Sequence, residues 1–240
     1  MKILQILLLW AVYTYAGTFS EQITQLKSAT KIGATIPIGN LQNGQSGIVV
    51  SNKINEKSVI ICYATVISSN EKESNISFQF QDILEQDALP KTNLLPKNGD
   101  NFVLNHLYKN SMIIAPNFQA LDNTKKIYEN LNFLSSDFFA AYLKINNNPT
   151  PQKKDIIEFA HKNDLGRIFI ITDKNINTVD AISFKVIETT PFNFDDNTTN
   201  APFYGNIDEI KTSTFDFFGA SNIGDYNKYY KKLLGIKDGK

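Results

Sequence analysis

Cysteine, histidine and surplus charge are what this chain has least of. Its 240 residues hold one cysteine, Cys62, and two histidines, His106 and His161, while 24 basic side chains meet 24 acidic ones. A lone cysteine cannot close an internal disulfide, and one thiol with two imidazoles excludes zinc cages built from four soft ligands. Zero formal net charge argues against nucleic-acid binding, which draws on a basic excess that releases counterions. No glycine-rich loop opens onto a helix: Gly44 and Gly47 run into the apolar Ile48-Val49-Val50, so no helix N-terminus is offered to a phosphate. Beyond the N-terminus no apolar run approaches a membrane span, which excludes a polytopic protein. What is there is an ordinary globular composition, 42% hydrophobic and 20% charged, sufficient for a core without staples. No cofactor is called for.

The one long apolar run follows Lys2, extends from Ile3 to Tyr15 and stops at the small residues Ala16 and Gly17. A basic start, an apolar stretch and a small-residue end form the pattern of a secretory signal peptide, with Thr14 and Ala16 at the positions that direct cleavage after Ala16. The run is shorter than the roughly 20 residues that span a bilayer. Its removal takes away Lys2 alone and leaves the balance one unit negative. The expected compartment is the periplasm or the cell surface and outer membrane.

Residues 17–117 read as a β-rich domain. Ile76, Phe78 and Phe80 alternate with Ser77, Gln79 and Gln81, the period of a half-buried strand. Ser58–Ser68 is dense in Val, Ile and Thr and suits a strand covered on both faces. Asn43-Gly44 and Asn98-Gly99 favour tight turns. Phe102–Leu107 and Met112–Ala115 flank Tyr108-Lys109-Asn110 as a hairpin. Together these strands predict a small antiparallel barrel or rolled sheet.

Residues 118–190 change period and read as an α+β domain. Ser135-Ser136-Asp137 caps a helix with Phe138, Phe139, Tyr142 and Leu143 inward, and Thr150-Pro151 starts another that runs to about Asn163. Strands follow at Arg167–Thr172 and Val179–Glu188. Residues 191–240 hold an irregular segment pinned by Phe192, Phe194, Phe203 and Phe215, then a C-terminal amphipathic helix. In that helix Tyr226, Tyr229, Tyr230, Leu233 and Leu234 share one face, Lys228, Lys231 and Lys232 the other, Asp225 caps and Gly235 stops. The expected fold class is α+β.

Catalytic constellations are hard to assemble from this material. Cys62 lies within Val59-Ile60-Ile61-Cys62-Tyr63-Ala64 and reads as core rather than nucleophile. His161 falls near a helix C-terminus, where partial positive charge is favourable. Ser135 lacks the glycine-flanked elbow of a serine hydrolase, and Asp195-Asp196 lacks the glycine and terminal glutamate of a calcium loop. The chain therefore reads as a non-enzyme. Two segments, Glu73-Ser74-Asn75-Ile76-Ser77 and Asp195-Asp196-Asn197-Thr198-Thr199, place an acid two residues before an Asn-x-Ser/Thr acceptor, which makes Asn75 and Asn197 candidate N-glycosylation sites.

Four stretches occur in a familiar order: Gly47-Ile48-Val49-Val50, Met112-Ile113-Ile114-Ala115-Pro116-Asn117, Asn132-Phe133-Leu134-Ser135-Ser136-Asp137 and Ile168-Phe169-Ile170-Ile171-Thr172. From about Leu41 to Phe218 the chain resembles the N-terminal domain of the plasminogen-binding surface protein family of host-colonising Gram-negative bacteria. The resemblance implies a surface-exposed protein, host plasminogen as partner, and lysine recognition by kringle modules. These grip a C-terminal lysine by its ammonium, its carboxylate and its aliphatic stem. Lys237-Asp238-Gly239-Lys240 supplies the lysines, Lys237 and Lys240, and internal Lys228, Lys231 and Lys232 have no adjacent free carboxylate. Members of the family continue past the shared domain into a Lys/Glu-rich helical tail, so a chain ending at Lys240 forgoes that avidity. The alternative is a structural envelope protein, periplasmic or outer-membrane-associated, without a host ligand.

Overall fold

A computed structural model describes residues 19–51, 58–80, 94–148, 150–195, 198–206 and 223–237. Six short strands form the first sheet: β1 (Gln22–Gln25), β2 (Gly33–Ile36), β3 (Ser46–Val50), β4 (Ile60–Ser69), β5 (Ser74–Gln79) and β6 (Asn101–Leu104). All pair antiparallel in the order β1-β6-β3-β4-β5-β2. The sheet curls until its edges meet: Lys27, just past β1, exchanges two 2.8 Å backbone bonds with Thr35 of β2. Alternation does the rest, since one side of each strand then faces a common interior. Leu26, Ile36, Val49, Ala64, Val66, Ile76, Phe102 and Leu104 fill it. Gly47 is required there, because a Cβ would lie 2.2 Å from the Val103 carbonyl oxygen and 2.9 Å from the Phe102 ring. Along Ile61–Val66 both faces of β4 are covered apart from the half-buried Tyr63, while Ile60 and Ile67 face outward.

The second sheet contains β7 (Asn110–Ile114), β8 (Asn132–Leu134), β9 (Arg167–Thr172), β10 (Asn175–Asp180) and β11 (Val186–Pro191) in the order β11-β10-β9-β7-β8. Strands β8, β7 and β9 are parallel, and β9, β10 and β11 form an antiparallel meander. Helix α1 (Phe118–Ile127) covers one face, over Ile113, Ala115, Phe169, Ile171 and Ile176. Helices α2 (Ser136–Ile145), α3 (Lys153–Lys162) and α4 (Tyr226–Leu234) cover the other, over Met112, Ile114, Ile168, Ile170 and Val179. Burial on both faces explains why β9 reads Arg-Ile-Phe-Ile-Ile-Thr without alternation. The fold is α+β, with a curled antiparallel first half, a helix-strand second half and a C-terminal amphipathic helix.

Several local expectations change. β6 and β7 are not a hairpin: β6 pairs with β1 and β3, β7 with β8 and β9, and Asn105 to Lys109 carries the chain from one sheet to the other. Asn105 and Leu107 take positive φ of 58° and 62° in this crossing. The segment Val179–Glu188 is not one strand, because the Asp180 carboxylate accepts the N–H groups of Ile182 (3.0 Å) and Ser183 (2.6 Å) and turns the chain between β10 and β11. Helix α3 begins two residues later than Thr150-Pro151 suggests; Gln152 is its cap, and its N–H is taken by Asp155 at 2.7 Å. Ser135 does cap α2, accepting from Asp137 N–H at 3.2 Å, yet Phe138 is 61% exposed and Ala140 joins Phe139 and Leu143 inside.

After β11 the chain lies across the C-terminal ends of the parallel strands. Asn200 and Tyr204 donate backbone bonds to Pro116 and Ala115, Asn117 Nδ2 donates to the carbonyls of Asp195 and Thr198, and Phe203 stacks on Phe139 at 5.5 Å. Open α/β sheets bind ligands at that edge; here this segment of the chain covers it.

Candidate functional site

The sequence places partner binding on Lys237 and Lys240, just past the C-terminal helix, and that helix is fixed from inside. Tyr226 and Tyr230 are buried with ring centroids 4.7 Å apart, and Tyr226 OH donates to the Ile114 carbonyl at 3.0 Å. Tyr229 OH donates to the Pro151 carbonyl at 2.6 Å, tying α4 to the start of α3. Asp225 Oδ1 accepts the Lys228 N–H at 3.0 Å, and Gly235 ends the helix at φ 71°, with Ile236 N–H returning to the Lys231 carbonyl. With the apolar side anchored, the lysines face outward. Lys231 forms an ion pair with Asp173 at 3.0 Å. Lys228, Lys232 and, beyond the cap, Lys237 are exposed. Asp225, Lys228, Tyr229 and Lys232 border a shallow cavity of about 240 Å³ together with Thr150 and Ile223.

Of the other residues singled out by sequence, Lys240, Asn197 and Phe215 lie outside the described residues, as do residues 1–16. Asn75 lies exposed on β5, far in topology from α4, with its carboxamide accepting from Thr35 Oγ1 (3.1 Å) and donating to Ser68 Oγ (3.0 Å). Its acidic neighbour Glu73 is exposed as well. The structure therefore does not bring the lysine and asparagine candidates together.

Cys62 is buried, and His106 and His161 are half-buried. Burial pushes the Cys62 thiol up to about 12, which leaves it protonated at neutral pH. Burial lowers the His161 imidazole, which stands edge-on to Tyr63 at 5.2 Å, while Asp180 acts in the opposite sense. His106 Nδ1 lies 3.4 Å from Glu21. Among the described residues no three His, Cys, Asp or Glu side chains converge in a way that could hold a metal.

A polar knot at the seam between the sheets escaped sequence reading. Asp180 is fully buried; Oδ2 accepts from Ser46 N–H (3.0 Å), Ser46 Oγ (2.5 Å) and Tyr108 OH, and Oδ1 takes the two turn amides. Burial raises its carboxyl above the usual range, and the hydrogen bonds pull the other way. Arg167 sits beside it, 6% exposed, donating Nε–H to the Tyr108 carbonyl at 2.7 Å, with its guanidinium over the rings of Tyr108, Phe19 and Phe169 at 5.4–5.9 Å. The available signals were an Asp inside the apolar Thr178-Val179-Asp180-Ala181 and an Arg at the head of an apolar strand. Nearby, Phe19, Gln22, Asn40, Gln42 and Gln45 face β11 across an open groove of about 630 Å³.

A curled sheet locked onto a layered mixed sheet, with an amphipathic lysine-bearing helix at the C-terminal end of the fold, defines an α+β protein. The chain belongs to the family described as "Plasminogen-binding protein pgbA N-terminal", whose model matches residues 18–234. It is similar to the Plasminogen-binding protein PgbA of two Helicobacter pylori strains. It is 24% identical to the J99 (ATCC 700824) protein over 200 residues, covering 82% of this chain and 44% of that protein. Identity to the 26695 (ATCC 700392) protein is also 24% over 200 residues, covering 82% and 43%. The chain thus spans less than half the length of either relative. No solved structure matches it. No helix among the described residues is long and apolar enough to cross a membrane.

Proposed function

We propose that this protein is an exported, non-catalytic binder of host plasminogen, displayed at the cell surface or outer membrane and recognised through its lysines by kringle modules. The observation that carries the reading is the family match over residues 18–234, joined to a rigid helix that directs lysines outward and ends shortly before Lys237 and Lys240. A kringle needs an ammonium, an apolar stem and a carboxylate at fixed separation, and in the 240-residue chain as tested Lys240 presents all three. Export rests on Lys2 and the apolar run to Tyr15, and the family match begins at residue 18, just past the expected cleavage site after Ala16. Asn75 and, by sequence, Asn197 are the positions for any attached glycan.

The test is binding of plasminogen to the 240-residue chain and to its Lys240 deletion, with and without a free lysine analogue. Loss of the ammonium from a fitted pocket costs about 2–5 kcal/mol, so the deletion should weaken binding roughly thirtyfold or more, and the analogue should compete. A parent chain that does not bind refutes the reading and favours the structural envelope role. Intact mass of the exported protein should correspond to a start at Gly17, and protease shaving of intact cells should reach it; protection from the protease argues for the periplasm.

A further inference from the structure

We infer that α4 carries a second, internal kringle contact: Lys228 and Lys232, with the Asp225 carboxylate beside them, stand in for a terminal lysine. This rests on the proposed function and adds a site to it. Lys228 and Lys232, four apart, are neighbours on one face of α4, and Asp225, the extended N-cap residue before Tyr226, is held at the start of the helix by the bond from Lys228 N–H to its carboxylate. Asp225 is exposed, and the backbone bond from Lys228 N–H falls on Oδ1, so Oδ2 remains open to a partner. No described carboxylate lies within ion-pair distance of Lys228 or Lys232, whereas the fold neutralises their neighbour Lys231 with Asp173. Like charges four apart repel on a helix. Among the described residues, then, no carboxylate pairs with either ammonium group, and an anion on this face would relieve their repulsion. Paired carboxylates with a nearby cation, the chemistry that grips lysine, complement an ammonium pair with a carboxylate at its end.

Preorganisation favours the same occupant. The lysine pair is rooted in a helix whose Tyr226 and Tyr230 are buried and whose Tyr229 is bonded to Pro151, so binding does not have to order its backbone. Tyr229 also borders the cavity that Lys228 and Lys232 flank, giving an aromatic edge beside the aliphatic stems.

The experiment compares plasminogen binding by four folded proteins: the parent, the Lys240 deletion, the Lys228→Ala/Lys232→Ala double variant, and the combination. Circular dichroism of each checks that α4 is intact. The Lys240 deletion should keep a weaker binding that a lysine analogue still abolishes, and adding the double substitution should lower it a further tenfold or so. In the Lys240 deletion that keeps Lys228 and Lys232, Asp225→Glu should retain more binding than Asp225→Asn, although both residues accept hydrogen bonds; equal binding by the two would show that the Asp225 charge takes no part. If the deletion alone reduces binding to that of an unrelated control, or if the double substitution adds nothing to it, the internal contact is refuted while terminal-lysine recognition stands. A parent chain that does not bind refutes both.

Discussion

The two sheets solve the burial problem in opposite ways. The first curls around a single interior, so β2, β5 and β6 bury alternate residues, with Ser74, Ile76 and Phe78 of β5 going in while Asn75 stays out, and only β3 and the middle of β4 are covered on both faces. The second stays open and is covered on both faces by helices, so β9 buries all six residues and needs nearly every one apolar. One core is therefore a closed unit with a common fate, whereas the other is two half-cores sharing a sheet. Exposed lysines occur in both halves, Lys27, Lys31, Lys72 and Lys97 in the first and Lys228 and Lys232 in the second, but only the second sets them on a helix that is packed on a sheet.

Truncating a fully buried ring in each unit breaks this comparison most severely. Phe102→Ala and Phe169→Ala, both at 0% exposure, should each cost about 3–5 kcal/mol. Hydrogen exchange should separate them: Phe102→Ala should release amides throughout the first sheet, while Phe169→Ala should release α1 and leave α2 and α3 protected. Uniform release in both variants would show that the second sheet also has one cooperative core.

The seam comes next in size. Asp180→Ala leaves Tyr108 OH, the Ser46 groups and two turn amides without their acceptor, and should cost about 2–4 kcal/mol in denaturant melts. A loss below half a kcal/mol would mean that the sheets are not coupled through this knot.

Acid and base should act on the seam with opposite sign. The folded-state pKa of Asp180 is raised, so its contribution is fully present below the ordinary carboxylate range and is lost as pH rises through the folded value. His161 is lowered, so its contribution is present above the ordinary imidazole range and is lost as pH falls through the folded value. Thermal melts against pH should show Asp180→Asn gaining on the parent as pH rises and His161→Gln gaining on it as pH falls below neutrality. Parallel curves for parent and variants would contradict both assignments.

Smaller effects sharpen the helical side. Ser135→Ala removes the α2 cap and should cost about 1 kcal/mol. Tyr230→Phe should be neutral or slightly stabilising, because the buried hydroxyl has no partner among the described residues and its removal forfeits no bond.

What could be read from the amino acids follows the same division. The inward Ile76 and Phe78 of β5, the Ser135 cap and the apolar row of α4 are local patterns, set by residues within a few positions of one another, and they reappear in the structure, whereas Phe80, expected inward, lies past the end of β5 and is 52% exposed. The Tyr108 crossing was taken for a hairpin because two short strands with a turn between them look alike whether they pair with each other or with distant partners. Val179–Glu188 was read through because the turn depends on one carboxylate, Asp180, whose partners Ser46 and Tyr108 are remote in sequence. On α4, the lysines were legible by composition, but Asp225 was read only as a cap. Its exposure beside Lys228 and Lys232, at the edge of one cavity, depends on how the helix docks.

Lysine recognition is the central claim, and carboxypeptidase B tests it without altering a single internal residue. The enzyme removes a C-terminal lysine and leaves the docked helix untouched. Plasminogen affinity of the 240-residue chain, measured before and after treatment, should fall roughly thirtyfold or more, with the remainder abolished by a free lysine analogue. Unchanged affinity after verified loss of Lys240 by mass, or binding that the analogue does not touch, would contradict the account.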